Sequence, residues 1–348
     1  MVEGTSTLER RRTLSEHPTA ILFGLTGLLV VLIAVAASTG AYPISFGEML
    51  AAIWRWLTGQ DPIGTTDTVL FEIRLPRVFA GVLAGAALAA AGAAYQGLFR
   101  NPLVSPDILG VSSGAGLGAV IGIFFSLPIW AIQFSAFAMG LATVGVVYLI
   151  ASMVRGREPI LVLVLAGVVV GSLTGAAISL LKILADPYDQ LPAIVFWLLG
   201  SLSSIRNADV INAAPLVLIA LIPLILLRWR INVLSLGDEE AKALGVDSSK
   251  LRLVVIFAAT LMTASVVAIS GVIGWVGLVI PHLARMLVGP NFERLLPASM
   301  LMGGGYLLLV DTVARSLTVT EIPLGILTAI IGAPFFLWLL ARGRDGWS

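Results

Sequence analysis

Residues 108–154 read ILGVSSGAGLGAVIGIFFSLPIWAIQFSAFAMGLATVGVVYLIASMV and contain no Asp, Glu, Lys, Arg or His. A hydrocarbon core about 30 Å thick is crossed by about 20 apolar helical residues, so this stretch suffices for two crossings. Ser126-Leu127-Pro128 supplies the break between them, because proline ends helices. Inside lipid, backbone groups must be bonded internally, which selects helices for such runs. The fold class expected is therefore an all-α membrane protein.

Working outward, the same criterion finds uncharged runs at 18–47, 78–99, 159–181, 210–227, 253–281, 295–310 and 322–341. The run from 253 is also double, continuing past a Gly271-Val272-Ile273-Gly274 break to residue 287. This reading predicts ten crossings. A further apolar run, 192–205, has the length of a re-entrant or interfacial helix. Charge supports that choice. With ten crossings and a cytoplasmic N-terminus, only Arg55, Arg74, Arg77, Lys182, Arg206 and Arg315 of the 21 Lys+Arg fall outside, whereas a crossing at 192–205 would flip every later loop against the positive-inside rule. The first run follows Arg10-Arg11-Arg12 and reads as an anchor, being longer than a signal-peptide core.

The composition agrees. Of 348 residues 58% are apolar and 12% charged, with mean hydropathy +1.00, against about 45–50% and about 25% in soluble domains. A net charge of +1 without an extended basic block excludes nucleic-acid binding. No cysteine is present, and His17 and His282 are the two histidines, so thiolate chemistry and a histidine-rich metal site are excluded.

Packing within lipid relies on close approach of backbones through small residues. Gly110, Gly114, Gly118 and Gly122 recur every four residues, as do Gly167, Gly171 and Gly175, and Gly81 and Gly85 open an alanine-rich stretch. Such stripes suit helix packing within one subunit, a pathway lining or a dimer seam. Asp311, Lys182, His282 and Arg285 sit near predicted span ends, where they read as capped or snorkelled. No array of mid-depth carboxylates of the kind that serves ion-coupled carriers is evident, so the energy for any transport comes from elsewhere.

The one long cytoplasmic loop, 228–252, reads RWRINVLSLGDEEAKALGVDSSKLR. Asp238, Glu239 and Glu240 suit the start of a short helix and Gly245 its end. Ala241, Leu244 and Val246, with Leu234, are expected on one surface and Glu239, Glu240 and Lys242 in water. The helix suits a docking knob or a solvated turn packed on its own subunit. No G-x-x-x-x-G-K-[ST] loop exists for ATP hydrolysis.

Residues 74–122, RLPRVFAGVLAGAALAAAGAAYQGLFRNPLVSPDILGVSSGAGLGAVIG, resemble the FecCD-type permeases of bacterial ABC importers for iron-siderophore, haem and cobalamin. The segments LSLGDEEAKALGV (234–246), SGVIGWVGLVIPHLARM (270–286), LLLVDTVARS (307–316) and EIPLGILTAIIGAPFFLWLLA (321–341) resemble the same family, in its order. The resemblance implies a type II importer-like permease domain spanning 1–348, with residues 1–17 a cytoplasmic tail and both termini cytoplasmic in the inner membrane. It implies a homodimer with two cytoplasmic ATPase subunits that carry ATP and Mg²⁺, no cofactor on this chain, and a periplasmic binding protein. Arg74, Arg77 and Arg315 match the family's docking arginines. Leu236, Gly237, Glu239, Glu240, Ala241, Leu244 and Gly245 match its coupling helix. The fifth and tenth spans would line the path, placing Ser172, Thr174, Ser179 and Thr328 on or near it. The expected cargo is an iron chelate, siderophore-bound or haem; the alternatives are cobalamin or another chelate or oxyanion, and a stand-alone secondary transporter. Cobalamin members carry hydroxyl residues at the loop into the fifth span, where this chain has Glu158-Pro159-Ile160-Leu161.

Overall fold

The computed structural model describes residues 18–342 apart from 41, 62, 63, 155–158 and 319. The expected tail 1–17 and the residues Arg155, Arg157, Glu158 and Arg344 lie outside the described set. Among the described residues every regular element is helical.

Helix α1 is Pro18–Ser38 and α2 is Phe46–Leu57. A turn at Gly64–Thr68 and a π-helical stretch at Val69–Arg74 lead into α3, Leu75–Leu98. Then follow α4 (Val111–Phe124), α5 (Ile129–Met153), α6 (Pro159–Leu184), α7 (Gln190–Leu199) and α8 (Asn207–Leu226). Two short helices, α9 (Arg228–Leu234) and α10 (Asp238–Ala243), precede α11 (Ser248–Ser270), α12 (Val276–Val288), α13 (Phe292–Ala314) and α14 (Leu324–Arg342).

The uncharged run 18–47 is not one element. α1 stops at Ser38, and Ser45 starts the amphipathic α2 through a capping box with Glu48: the Ser45 hydroxyl accepts from the Glu48 backbone N–H and the Ser45 N–H donates to the Glu48 carboxylate. Apolar content alone cannot show that break. The third span likewise begins at Val111, because 101–110 is irregular apart from a 3₁₀ turn at Pro106–Leu109. The expected short run forms α7, which ends at Gly200 with φ +72°. Its end is stitched in place: the Ser201 N–H donates to the Ser270 carbonyl and the Leu324 N–H to the Gly200 carbonyl.

By length and apolarity, 7 described helices can cross a membrane. The other three expected crossings, α4, α12 and α14, rest on shorter apolar helices. At 1.5 Å per residue, α4 and α12 depend on irregular segments beside them to complete any crossing.

α3 forms the centre. It packs on α13, α11 and α12, and 78% of the crossing window in the continuous helix 64–98 is buried, against 11% for α1. Its alanines explain this, since Ala80, Ala84, Ala87, Ala91 and Ala94 present flat surfaces. Gly85 lies on the backbone of Gly303 and Gly92 on that of Gly277, where an added Cβ would overlap a carbonyl. Such contact is how helices hold together where lipid offers no hydrophobic drive. The α4 stripe packs within the subunit: Gly114, Gly118 and Gly122 close on Thr143, Ser135 and Ile132 of α5. The α6 stripe does so closely at Gly167, which meets the Ile108 carbonyl, and loosely at Gly171, where Ser113 Oγ would lie 3.8 Å from an added Cβ, while Gly175 has nothing within 4 Å.

Candidate functional site

At the end assigned to the outside, the structure brings Arg74, Arg77 and Arg315 together, and all three turn inward. Arg77 donates from Nε and Nη2 to Asp311 Oδ1 at 3.0 and 2.9 Å, and from Nη1 and Nη2 to the Glu321 carboxylate at 2.8 Å. Asp311 is 0% exposed, and a buried carboxylate needs such partners. Arg315 lies with Nε 3.8 Å from Asp311 and donates from Nη2 to the Ala36 carbonyl at 2.5 Å. Arg74 donates to the carbonyls of Ala37 and Ser38 at 2.8 Å and to that of Tyr42. The carbonyls of 36–38 belong to the last turn of α1, which lacks intrahelical partners and carries the negative end of the helix dipole.

The three arginines matched to docking therefore do not reach out from the surface as rim charges. A buried carboxylate and an uncapped helix end draw them inside, a demand invisible until α1, α3 and α13 are brought together. Glu321 remains partly open, its side chain 33% exposed, and the Arg77 guanidinium holds its carboxyl below the ordinary value of 4.5. Asp311, expected as a capped span end, is instead the anion at the centre of this cluster.

At the opposite end, α10 stands between two glycines with positive φ, Gly237 at +138° and Gly245 at +77°. Its base is tied by Arg252, whose Nη2 lies 2.5 and 2.7 Å from the Asp238 carboxylate oxygens. The surface expected from spacing divides in two. Ala241, Val246 and Leu234 are buried against the chain's own core, whereas Leu244 and Leu236 are 53% and 63% exposed. Glu239 and Glu240 are exposed as expected. The outcome is a knob fixed on one face, with Glu239, Glu240 and Lys242 outward on the other and Leu236 and Leu244 exposed beside them. Asp247 caps the helix that follows, accepting from the N–H groups of Ser249 and Lys250.

The four hydroxyl residues expected along the path separate. Ser172 and Ser179 are exposed on α6, while Thr174 and Thr328 are buried, the latter at 0%. Each donates to a carbonyl of its own helix, at Val168, Gly175, Gly171 and Gly325 respectively. Arg285 is not a snorkelled end either; it is partly buried and donates to Gln96 Oε1 at 3.3 Å.

Asp107 escapes a reading of the sequence by uncharged runs, because the run begins at the residue after it. The Ser112 hydroxyl donates to its Oδ1. Residues 110–114 read GVSSG, the letters of a G-x-S-x-G elbow, but that motif needs a strand before the turn, and no strand occurs among the described residues.

The model of the FecCD transport family matches residues 28–342. The chain belongs to the FecCD transport family. It is 44% identical over 326 residues to the molybdate import system permease protein MolB of Haemophilus influenzae, covering 94% of this chain and 96% of that one. It is 38% identical to the hemin transport system permease protein HmuU of Yersinia pestis, with 94% and 97% covered. Among solved structures, an inward-facing metal-chelate type ABC transporter superposes with TM-score 0.84 at 42% identity, over 93% of this chain and 99% of that one. Membership of this FecCD family makes the chain a multi-pass transport permease, with the fold of a type II ABC importer subunit.

Proposed function

We propose that the chain is the membrane permease subunit of an ATP-driven importer that carries an iron chelate, siderophore-bound or haem, from periplasm to cytoplasm across a bacterial inner membrane. It works as a homodimer with ten crossings per subunit and both termini cytoplasmic. Two ATPase subunits holding ATP and Mg²⁺ dock beneath it, a binding protein docks above, and the chain itself is non-catalytic and carries no cofactor.

One observation carries this reading: α10 is anchored through Asp238 and Ala241 while Leu236, Leu244, Glu239 and Glu240 stand outward. A rigid knob of this kind transmits the closure of a partner into tilting of α11, which follows it directly. Binding-protein docking falls on the opposite end, where Arg74, Arg77 and Arg315 hold the surface in shape and supply the net positive field that steers an acidic partner. Ser172 and Ser179 on α6 are the proposed contacts along the path, with Thr174 and Thr328 reached only in another conformation.

The test is co-purification. Replacing Leu236 and Leu244 together by Asp should release the ATPase subunits from the permease and abolish ATP-dependent uptake while the permease stays folded. Retained, coupled ATPase would remove the role given to α10. A second reading, an oxyanion as cargo, is favoured by the 44% identity to MolB. Uptake measured with the cognate binding protein and a panel of ferric siderophores, haem, cobalamin and molybdate separates the two.

A further inference from the structure

Helix α2 has an apolar face that the rest of the subunit does not use. Phe46, Leu50, Trp54 and Leu57 follow at i, i+4, i+8 and i+11, which places them on one stripe of the helix, and they are 51–66% exposed. Met49 and Ala52 point elsewhere, buried with Ala37 of α1 and with Leu70. Trp56 leans the same way, its ring stacked on that of Phe71 at 6.0 Å. Glu48 and Arg55 occupy the side opposite the stripe. α2 thus has three faces: one packed on protein, one polar, and one apolar but bare.

The depth of α2 is set by α1. That span has 21 residues, about 31 Å at 1.5 Å per residue, which matches a hydrocarbon core of about 30 Å. Its end at Ser38 therefore lies at a membrane boundary, and the contact of α2 with Ala37 puts α2 there as well. The bare side of α1 reaches the same level, since Leu28, Val31 and Val35 are exposed along it up to the last turn. α2 is also held laterally. Arg55 donates to the Asp67 carboxylate from Nε at 3.2 Å and from Nη2 at 2.5 Å, and the π-helical stretch that follows Asp67 ends in Arg74, which grips the carbonyls at the end of α1.

We propose that α2 is an interfacial helix whose stripe of Phe46, Leu50, Trp54 and Leu57 inserts into the bilayer leaflet beside the end of α1. Bulky apolar side chains with no charge among them suit the boundary between headgroups and acyl chains, where tryptophan is enriched. Left in water, the same stripe would be an aggregation surface. Lipid reaches it directly along the exposed side of α1. Charge does not contribute, because Glu48 closes on Ser45 and Arg55 on Asp67, so the apolar area alone seats the helix and zwitterionic lipid suffices. Through Arg55 and Asp67 this seat holds the segment ending in Arg74 at a fixed height over the membrane, whatever the cargo.

The chain has 0 cysteines, so single cysteines carry spin labels without background. With the full-length permease in vesicles of zwitterionic lipid, labels on Leu50→Cys and Leu57→Cys should collide with oxygen in preference to a water-soluble nickel chelate and report a depth about 5–10 Å inside the headgroup boundary. The label on Glu48→Cys should show the reverse preference, and Val31→Cys on α1 supplies the lipid reference. Adding anionic lipid should leave these depths unchanged. Labels at positions 50 and 57 that are as open to the nickel chelate as the one at 48 overturn the proposal, since the stripe then stands in water. Labels closed to both reagents overturn it too, since protein then covers the stripe, and so does insertion that occurs only with anionic lipid.

Discussion

Asp311 shows how one residue organises an end of the molecule. Fully buried, it draws Arg77 into a bidentate contact and Arg315 to within 3.8 Å. Removing one partner of a buried charge pair typically costs about 3–5 kcal/mol, so Asp311→Ala should lower the melting temperature in detergent markedly, and Asp311→Asn, which keeps an acceptor, should lower it less. Glu321 adds a pH dependence. Its folded-state pKa lies below the ordinary 4.5 because Arg77 favours the carboxylate. A depressed folded value means stability that is present above the unfolded pKa and is lost as pH falls through the folded one. Melting curves of wild type and Glu321→Gln should therefore differ at neutral pH and converge on acidification below 4.5. A gap that persists there would mean that Arg77 gains nothing from this charge.

For the helices, the glycines separate contacts that sequence spacing makes look alike. Gly85 and Gly175 both belong to i, i+4 stripes, but only Gly85 touches another backbone. Gly85→Val should exceed the about 1–3 kcal/mol typical of overpacking and prevent recovery of monodisperse protein, because the Gly303 carbonyl cannot move aside. Gly175→Ala should change stability by no more than about 1 kcal/mol, in the stabilising direction, since alanine suits a helix interior better. Equal behaviour of the two variants in a thermal-shift assay would contradict the packing of α3 on α13. α10 follows the same logic: its spacing marks it as amphipathic, but only the body of the protein shows that Ala241 faces in and Leu244 out.

Taken whole, the chain is a bundle around α3 with an anchored knob at one end and an arginine cluster at the other. Its motion, on the reading proposed here, is supplied by partners. Purified alone in sealed vesicles with only a proton or sodium gradient, it should accumulate no ferric chelate. Accumulation without ATPase subunits would point to a secondary transporter. With ATPase and binding protein present, uptake should follow ATP and be insensitive to dissipation of either gradient.

Much of this was legible without coordinates. Uncharged runs of bilayer length, proline and glycine breaks, and the distribution of Arg and Lys determine an all-helical membrane chain and its major spans, because burial in lipid acts on each segment separately and depends on composition and length. The spacing around Asp238–Ala243 likewise marks a short amphipathic helix, since periodicity is local. What only the tertiary structure decided is which side of a residue meets protein. The inward turn of Arg74, Arg77 and Arg315, the contrast of Gly85 with Gly175, and the burial of Asp311 each depend on neighbours far apart in the chain. Coulomb and packing energies act through space at a few ångströms, and no reading of adjacent letters contains those distances.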